Sequence, residues 1–93
     1  MPPRKERLKD YDERIRQALS ILTMISDDNT TPRNIRRSAK EAIDALTVSG
    51  QTQAVRAAQA ISILDEISQD TNMPQYTRTR IWNVVSQLAV IKE

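Results

Sequence analysis

The chain contains no cysteine and no histidine, and among its 93 residues are one glycine and only three aromatics, Tyr11, Tyr76 and Trp82. Without cysteine there are no disulfides and no thiolate metal sites, and the sequence suits a reducing compartment. Without histidine the chain lacks the usual general base, the commonest zinc ligand and the side chain that changes charge near neutral pH. A single glycine excludes a glycine-rich phosphate loop. No apolar run approaches the ~20 residues of a membrane span. The charged start MPPRKERLKDYDER has no apolar stretch behind it and so does not read as a secretory signal. These absences argue against the familiar enzyme classes, against a cofactor, metal or small-molecule substrate, and against a membrane. The cytoplasm is the expected location.

What the chain does have is a repeat. The segment AISILDEISQDTNMPQYTR from Ala60 to Arg78 lies over ALSILTMISDDNTTPRNIR from Ala18 to Arg36 at an offset of 42 residues. Ala18/Ala60, Ser20/Ser62, Ile21/Ile63, Leu22/Leu64, Ile25/Ile67, Asp28/Asp70, Pro32/Pro74 and Arg36/Arg78 coincide, and the register continues through Arg14/Arg56 and Leu46/Leu88. A period of about 40 to 45 residues is that of a helix–turn–helix unit. The chain therefore reads as two copies of one helical hairpin, about 8–49 and 51–92, in a single all-α domain.

Taken in order, residues 1–7 carry two prolines and three basic residues without apolar periodicity and are expected to form a mobile basic tail. From Leu8 an apolar seam runs through Tyr11, Ile15, Ala18, Leu22 and Ile25 at alternating spacings of three and four, the mark of an amphipathic helix. Asp27-Asp28-Asn29-Thr30 ends it. The second helix is expected to open with Thr31 as N-cap and Pro32 at the first helical position, to bury Ile35, Ala39, Ala42, Ile43 and Leu46, and to close at Gly50 in a left-handed conformation.

The third helix, about 52–69, is the most apolar. Where the first repeat has Asp12, Glu13 and Arg16, it has Ala54, Val55 and Ala58. Apolar residues on several sides imply packing on several sides, which places this helix at the centre of the domain. The fourth, about 74–91, buries Ile81, Val84, Val85, Leu88 and Ile91. Four helices joined by short turns give an antiparallel four-helix bundle. Two hairpins are too few for an extended solenoid.

The pattern Asp28, Pro32, Ile35-Arg36, Ala39 resembles the second helix of HEAT-type repeats, and AVRAAQAISIL from Ala54 echoes it. More specifically, TPRNIRRSAKEA, AVRAAQAISILDEIS and NMPQYTRTRIWNVVSQL are similar to a small archaeal group, uncharacterised protein family 0147, over about Leu8 to Leu88. That resemblance implies a cytoplasmic, all-α archaeal protein folded as a four-helix bundle. It brings no known activity and no functional residues.

Candidate chemistry is sparse. The adjacent acids Asp27-Asp28 and Asp65-Glu66 project in different directions from a helix and make no ready carboxylate dyad. Ten of the fourteen basic residues are arginine, the side chain suited to fixed, bidentate contacts, yet the net charge is only +2. Arg33, Arg36 and Arg37 stand in the first turns of helix 2, and Arg78 and Arg80 hold the like region of helix 4, where the helix dipole disfavours cations.

The favoured reading of these arginines is a ladder of pairs with Asp27, Asp28 and Asp70 that locks the repeats together. The sharper one is a phosphate site with the helix N-termini, which would make this a nucleic-acid-associated protein aided by Arg4, Lys5, Arg7 and Lys9. Three aromatic rings are few for a single-strand platform. Trp82 falls where the first repeat has Lys40. It is expected either to be buried against an additional packed face, the favoured reading, or to anchor an interface, with Arg78 one turn earlier stacked over its ring. The leading functional expectation is a non-catalytic adaptor that binds an unknown protein partner or itself through helix 4, around Tyr76, Arg78 and Trp82.

Overall fold

A computed structural model describes residues 4–92. Among them are four helices and no strand: α1 (Arg4–Ser26), α2 (Arg33–Thr47), α3 (Gln53–Ile67) and α4 (Gln75–Leu88). The heptad-like seams account for them. Tyr11, Ile15, Ala18, Leu22 and Ile25 of α1 are buried, as are Ile35, Ala39, Ala42 and Leu46 of α2 and Ile81, Val84 and Leu88 of α4. Together with Ala57, Ala60, Leu64, Met73 and Ile91 they make one core.

Several local expectations are corrected. α1 takes in Arg4 to Arg7, which the sequence placed in a tail; Lys, Glu and Arg are good helix formers and carry the first turn. Residues 1–3 of that tail lie outside the described residues. Leu8, expected in the seam, is 40% exposed. Thr31 does not cap α2: Pro32 occupies the cap position with ψ 147°, and its carbonyl accepts the N–H groups of Ile35 and Arg36. Thr31 instead points into the core, as does its repeat counterpart Met73. Pro74 caps α4 in the same way, with ψ 148°. Among the described residues only α3 has a side-chain cap, the Thr52 hydroxyl accepting the Val55 N–H at 3.2 Å. Gly50 has φ 83°, the one left-handed residue among those described. It stands two residues beyond the Val48 cap, in the turn between hairpins.

The helices pack as a ring. α1 lies against α2 and α4, and α2 lies against α3, whereas α3 and α4 touch only lightly and α2 and α4 do not meet. Successive turns of a solenoid would set α1 on α3 and α2 on α4; here the two hairpins face each other instead. α1 and α2 each pack closely on two neighbours, so they and not α3 occupy the middle of the arrangement. Only Ala57, Ala60 and Leu64 of α3 are fully buried, while Val55, Ile61, Ile63 and Ile67 stay half-exposed. The apolar girth of α3 is real but covered only in part: Ile63 and Ile67 line a surface cavity beside Ser38 and Glu41 of α2, and the α4 side is only lightly packed.

Candidate functional site

The two turns that link the helices of each hairpin are built alike. Asp28 accepts the Thr30 N–H at 2.9 Å and the Thr30 hydroxyl at 2.6 Å, and Asp70 accepts the Asn72 N–H at 2.8 Å. Each is a side-chain turn in which the carboxylate replaces a backbone acceptor. Each carboxylate then reaches the second helix of the other hairpin. Asp28 accepts from the Tyr76 hydroxyl at 3.3 Å, and Asp70 accepts from the Asn34 side-chain amide. Tyr76 and Asn34 are themselves 42 residues apart, so the hairpins clasp each other about a pseudo-two-fold axis. The Thr30 hydroxyl also meets Tyr76 Oη at 2.7 Å, and Arg80 stands 3.9 Å from Asp28 and 5.4 Å from the centre of the Tyr76 ring.

These bonds hold both carboxyls below the ordinary value of 3.8. For Asp28 the Thr30 hydroxyl contributes most and the Thr30 N–H next; for Asp70 the Asn72 N–H leads, followed by Asn34.

The arginines divide by task. Arg36 Nε donates to the Thr31 carbonyl at 3.0 Å, and Arg78 donates to the carbonyls of Ser68 at 2.8 Å and Asp70 at 3.0 Å. They satisfy turn carbonyls left open at the helix ends; of the expected ladder of Asp–Arg pairs, the described residues form Arg80–Asp28, and the Arg78 charge also acts on the Asp70 carboxylate. The first helix of each hairpin carries a further counterpart pair. Arg14 Nη1 donates to the Gln87 side-chain oxygen at 3.0 Å, and Arg56 Nη1 donates to the Leu46 carbonyl at 2.9 Å, each reaching the far end of the other hairpin.

Arg33 and Arg37 do neither. With Lys40 they form an exposed stripe along α2 that has no ion pair or hydrogen bond among the described residues. A shallow 380 Å³ depression beside Ser26 and Asp27 is lined by these three cations and Arg36.

Trp82 is on another face. It is 69% exposed, so the expected burial does not occur, and Arg78 is turned away to its carbonyls rather than stacked on the indole. The cation–ring contact that does exist is Arg80 on Tyr76. Trp82 forms one wall of a 320 Å³ surface cavity on the loose α3–α4 side, with Ile81 and Val85 beside it and Asp65, Ser68 and Arg78 around them. The seven candidate residues thus fall into three groups: the clasp and turn supports Arg36, Tyr76, Arg78 and Arg80; the free stripe of Arg33 and Arg37; and Trp82.

The residues around Trp82 were missed in the sequence, although a signal was there. From Ile81 to Ile91 no side chain is ionisable, and from Ala57 to Leu64 none is either; the counterparts in the first repeat include Arg16, Lys40, Glu41 and Asp44. Among the described residues no cluster of three acids stands ready for a metal, and no helix is long and apolar enough to cross a membrane.

The four-helix fold is shared with known proteins. The model of the Uncharacterised protein family (UPF0147) matches residues 3–91. The chain belongs to UPF0147. It is 54% identical over 86 residues to the UPF0147 protein of Sulfurisphaera tokodaii, covering 92% of this chain and 97% of that one. To the UPF0147 protein of Methanosarcina mazei it is 50% identical over 82 residues, 88% of each. The crystal structure of the unknown-function protein MMP1188 superposes with a TM-score of 0.85 at 46% identity, over 88% of this chain and 93% of that one. A UPF0147 crystal structure from Thermoplasma acidophilum gives 0.84 at 26% identity, over 90% and 99%. UPF0147 is an uncharacterised family in archaea, all-α in fold, so the assignment of a role rests on the surface itself.

Proposed function

We infer that this UPF0147 protein is a non-catalytic interaction module whose docking face is the open side between α3 and α4. The observation that carries the reading is Trp82. An indole 69% exposed, beside Ile81 and Val85 and inside an eleven-residue stretch without charge, is costly to leave in water and of the composition that interface centres favour. Burying such a side chain is worth roughly 1.5 to 3 kcal/mol or more, available only when something covers it. A photo-crosslinking amino acid at position 82, with position 40 as the repeat-equivalent control, tests the reading in cells. Protein adducts at 82 and none at 40 are expected; equal labelling at both, or none at 82, would remove the docking face.

A second reading is favoured by the unpaired stripe of Arg33, Arg37 and Lys40, which fits a polyanion such as RNA or DNA. Its test is fluorescence anisotropy with labelled single-stranded RNA and duplex DNA at low and near-physiological salt. Binding that falls steeply with salt and is lost in an Arg33→Glu, Arg37→Glu double variant would support it. Arg36 has to be left intact, because its guanidinium supports the Thr31 carbonyl and its loss would act on folding.

A further inference from the structure

We propose that the depression between α1 and α2 grips the phosphate backbone of a double-stranded nucleic acid, with Arg36 as its fixed hydrogen-bonding fork and Arg33, Arg37 and Lys40 as the charges around it. The proposal rests on the second reading above and adds to it the anchoring residue and the form of the ligand. Three observations carry it.

The first is a difference between the repeats. Arg36 and Arg78 are counterparts, and both are half-buried against turn carbonyls. Arg78 spends both ends of its fork there, Nη1 on Ser68 and Nη2 on Asp70. Arg36 is held by Nε alone, on the Thr31 carbonyl at 3.0 Å, and among the described residues its two Nη groups donate to nothing. Arg36 also lines the 380 Å³ depression. A guanidinium anchored at Nε thus keeps its terminal pair of amino groups for a ligand, and that planar fork matches the oxygens of a phosphate.

The second is uncompensated charge. Arg33, Arg36, Arg37 and Lys40 follow one another at spacings of three and four, where like charges destabilise a helix, and they crowd the first two turns, where the helix dipole disfavours cations. The fold does not require them, since their counterparts are Gln75, Arg78, Thr79 and Trp82. Asp27 is the one acid on the wall of the depression, and among the described residues it pairs with none of them. Glu41 and Asp44 come later in α2, and Glu41 lines the cavity on the α3 side instead. Four cations against one acid leave a surface that an anion stabilises.

The third is extent and the lack of rings. From Arg33 to Lys40 is about 10.5 Å along the helix, so the row takes successive phosphates and not a single one. Arg33, Arg37 and Lys40 are exposed, within reach of a rigid ligand. No aromatic side chain stands with them: Tyr11 is in the core, Tyr76 in the clasp and Trp82 on the α3–α4 side. Binding of a single strand leans on stacking of its bases, and nothing here stacks. A duplex turns its bases inward and presents its phosphates, which is what a row of cations without a ring can hold.

The test is fluorescence anisotropy of the full chain with labelled duplex DNA, duplex RNA and single-stranded DNA of one length, each over a range of salt. The two duplexes are expected to bind alike, because the contacts are to phosphate, and the single strand more weakly. For four neutralised phosphates log K falls by about 3.6 per decade of salt. Asp27→Asn removes the one acid of the depression and is expected to tighten duplex binding about threefold, whereas Asp65→Asn on the α3–α4 side leaves it unaltered. Arg36→Lys keeps the charge and loses the fork, so the duplex binds about tenfold more weakly at an unchanged salt slope. Arg78→Lys is the control for folding: it too loses carbonyl support, and it lowers the thermal midpoint without weakening binding. Whether or not the Arg36 variant folds, the guanidinium resonances of Arg36 in the unsubstituted chain are expected to shift when duplex is added. Unshifted resonances remove Arg36 from the site, and an unchanged affinity in Asp27→Asn moves the site off this depression. A single strand that binds as tightly as the duplexes overturns the duplex and leaves the polyanion reading standing; no binding to any of the three removes both. Tripolyphosphate that binds more tightly than duplex, titrated by calorimetry, would make the ligand a free phosphate chain instead.

Discussion

Arg36 and Arg37 are neighbours in sequence with opposite lives in the structure. The Arg36 guanidinium is half-buried on the Thr31 carbonyl; Arg37 is exposed and has no bonding partner among the described residues. Arg78 repeats the task of Arg36 with two carbonyl bonds instead of one. Hydrogen bonds from a charged donor contribute more than neutral ones, and removing the donor strands acceptors that water reaches poorly. Arg78→Ala is expected to lower stability by about 2 kcal/mol, and Arg37→Ala by less than about 0.5 kcal/mol, measured by urea unfolding. Equal effects would show that the carbonyl bonds do not matter.

The clasp carboxylates give a pH signature. Asp28 and Asp70 both titrate below their ordinary 3.8 in the folded chain because hydrogen bonds favour the charged form. A depressed folded value means that the stabilisation is complete above the unfolded value and is lost as pH falls through the folded one. Thermal midpoints are thus expected to drop on acidification below pH 3.8, and an Asp28→Asn, Asp70→Asn variant should show a flatter acid limb. An unchanged acid limb in that variant would place the sensitivity elsewhere.

Among the elements, α3 is the one whose composition and position disagree most instructively. Its small residues suit the approach of a neighbour: Ala57 and Ala60 are buried, and α2, the helix against which α3 packs most, itself buries Ala39 and Ala42. Close helix approach leaves no room for larger side chains. Ala60→Leu is accordingly expected to cost about 1 to 3 kcal/mol, read from chemical unfolding, while Ala58→Leu on the exposed side should be tolerated. Tolerance at position 60 would mean that α2 and α3 are not closely packed. The same helix was expected at the centre on its apolar content. That content measured how much surface needs covering, and only the arrangement of neighbours reveals that α4 covers little of it.

For the whole molecule, the decisive contacts run between hairpins. α2 packs on α3 and α1 on α4, and the Asp28–Tyr76, Asp70–Asn34, Arg14–Gln87 and Arg56–Leu46 bonds all cross from one hairpin to the other. A hairpin alone therefore exposes the parts of its apolar seam that the other hairpin covers. A peptide of residues 1–49 is expected to be largely unfolded by circular dichroism, whereas the full chain melts in one cooperative transition. A cooperative melt of the isolated hairpin would show that the core is not shared.

What the sequence determined by itself were the helices, their buried seams and the proline-marked turns, because a 3.6-residue period and a turn cluster are local signals that no distant contact has to confirm. Ile15, Leu22, Ile35, Leu46 and Leu88 could be assigned to the core on spacing alone. What only the tertiary structure decided was which seam faces which: a hairpin pair clasped face to face, α1 and α2 rather than α3 in the middle, Thr31 in the core instead of capping α2, Arg36 and Arg78 on carbonyls, and Trp82 left in water. Each of these depends on groups far apart in the chain competing for the same neighbours. A residue's own spacing states what it can bury or bond, and the other helices settle whether it does.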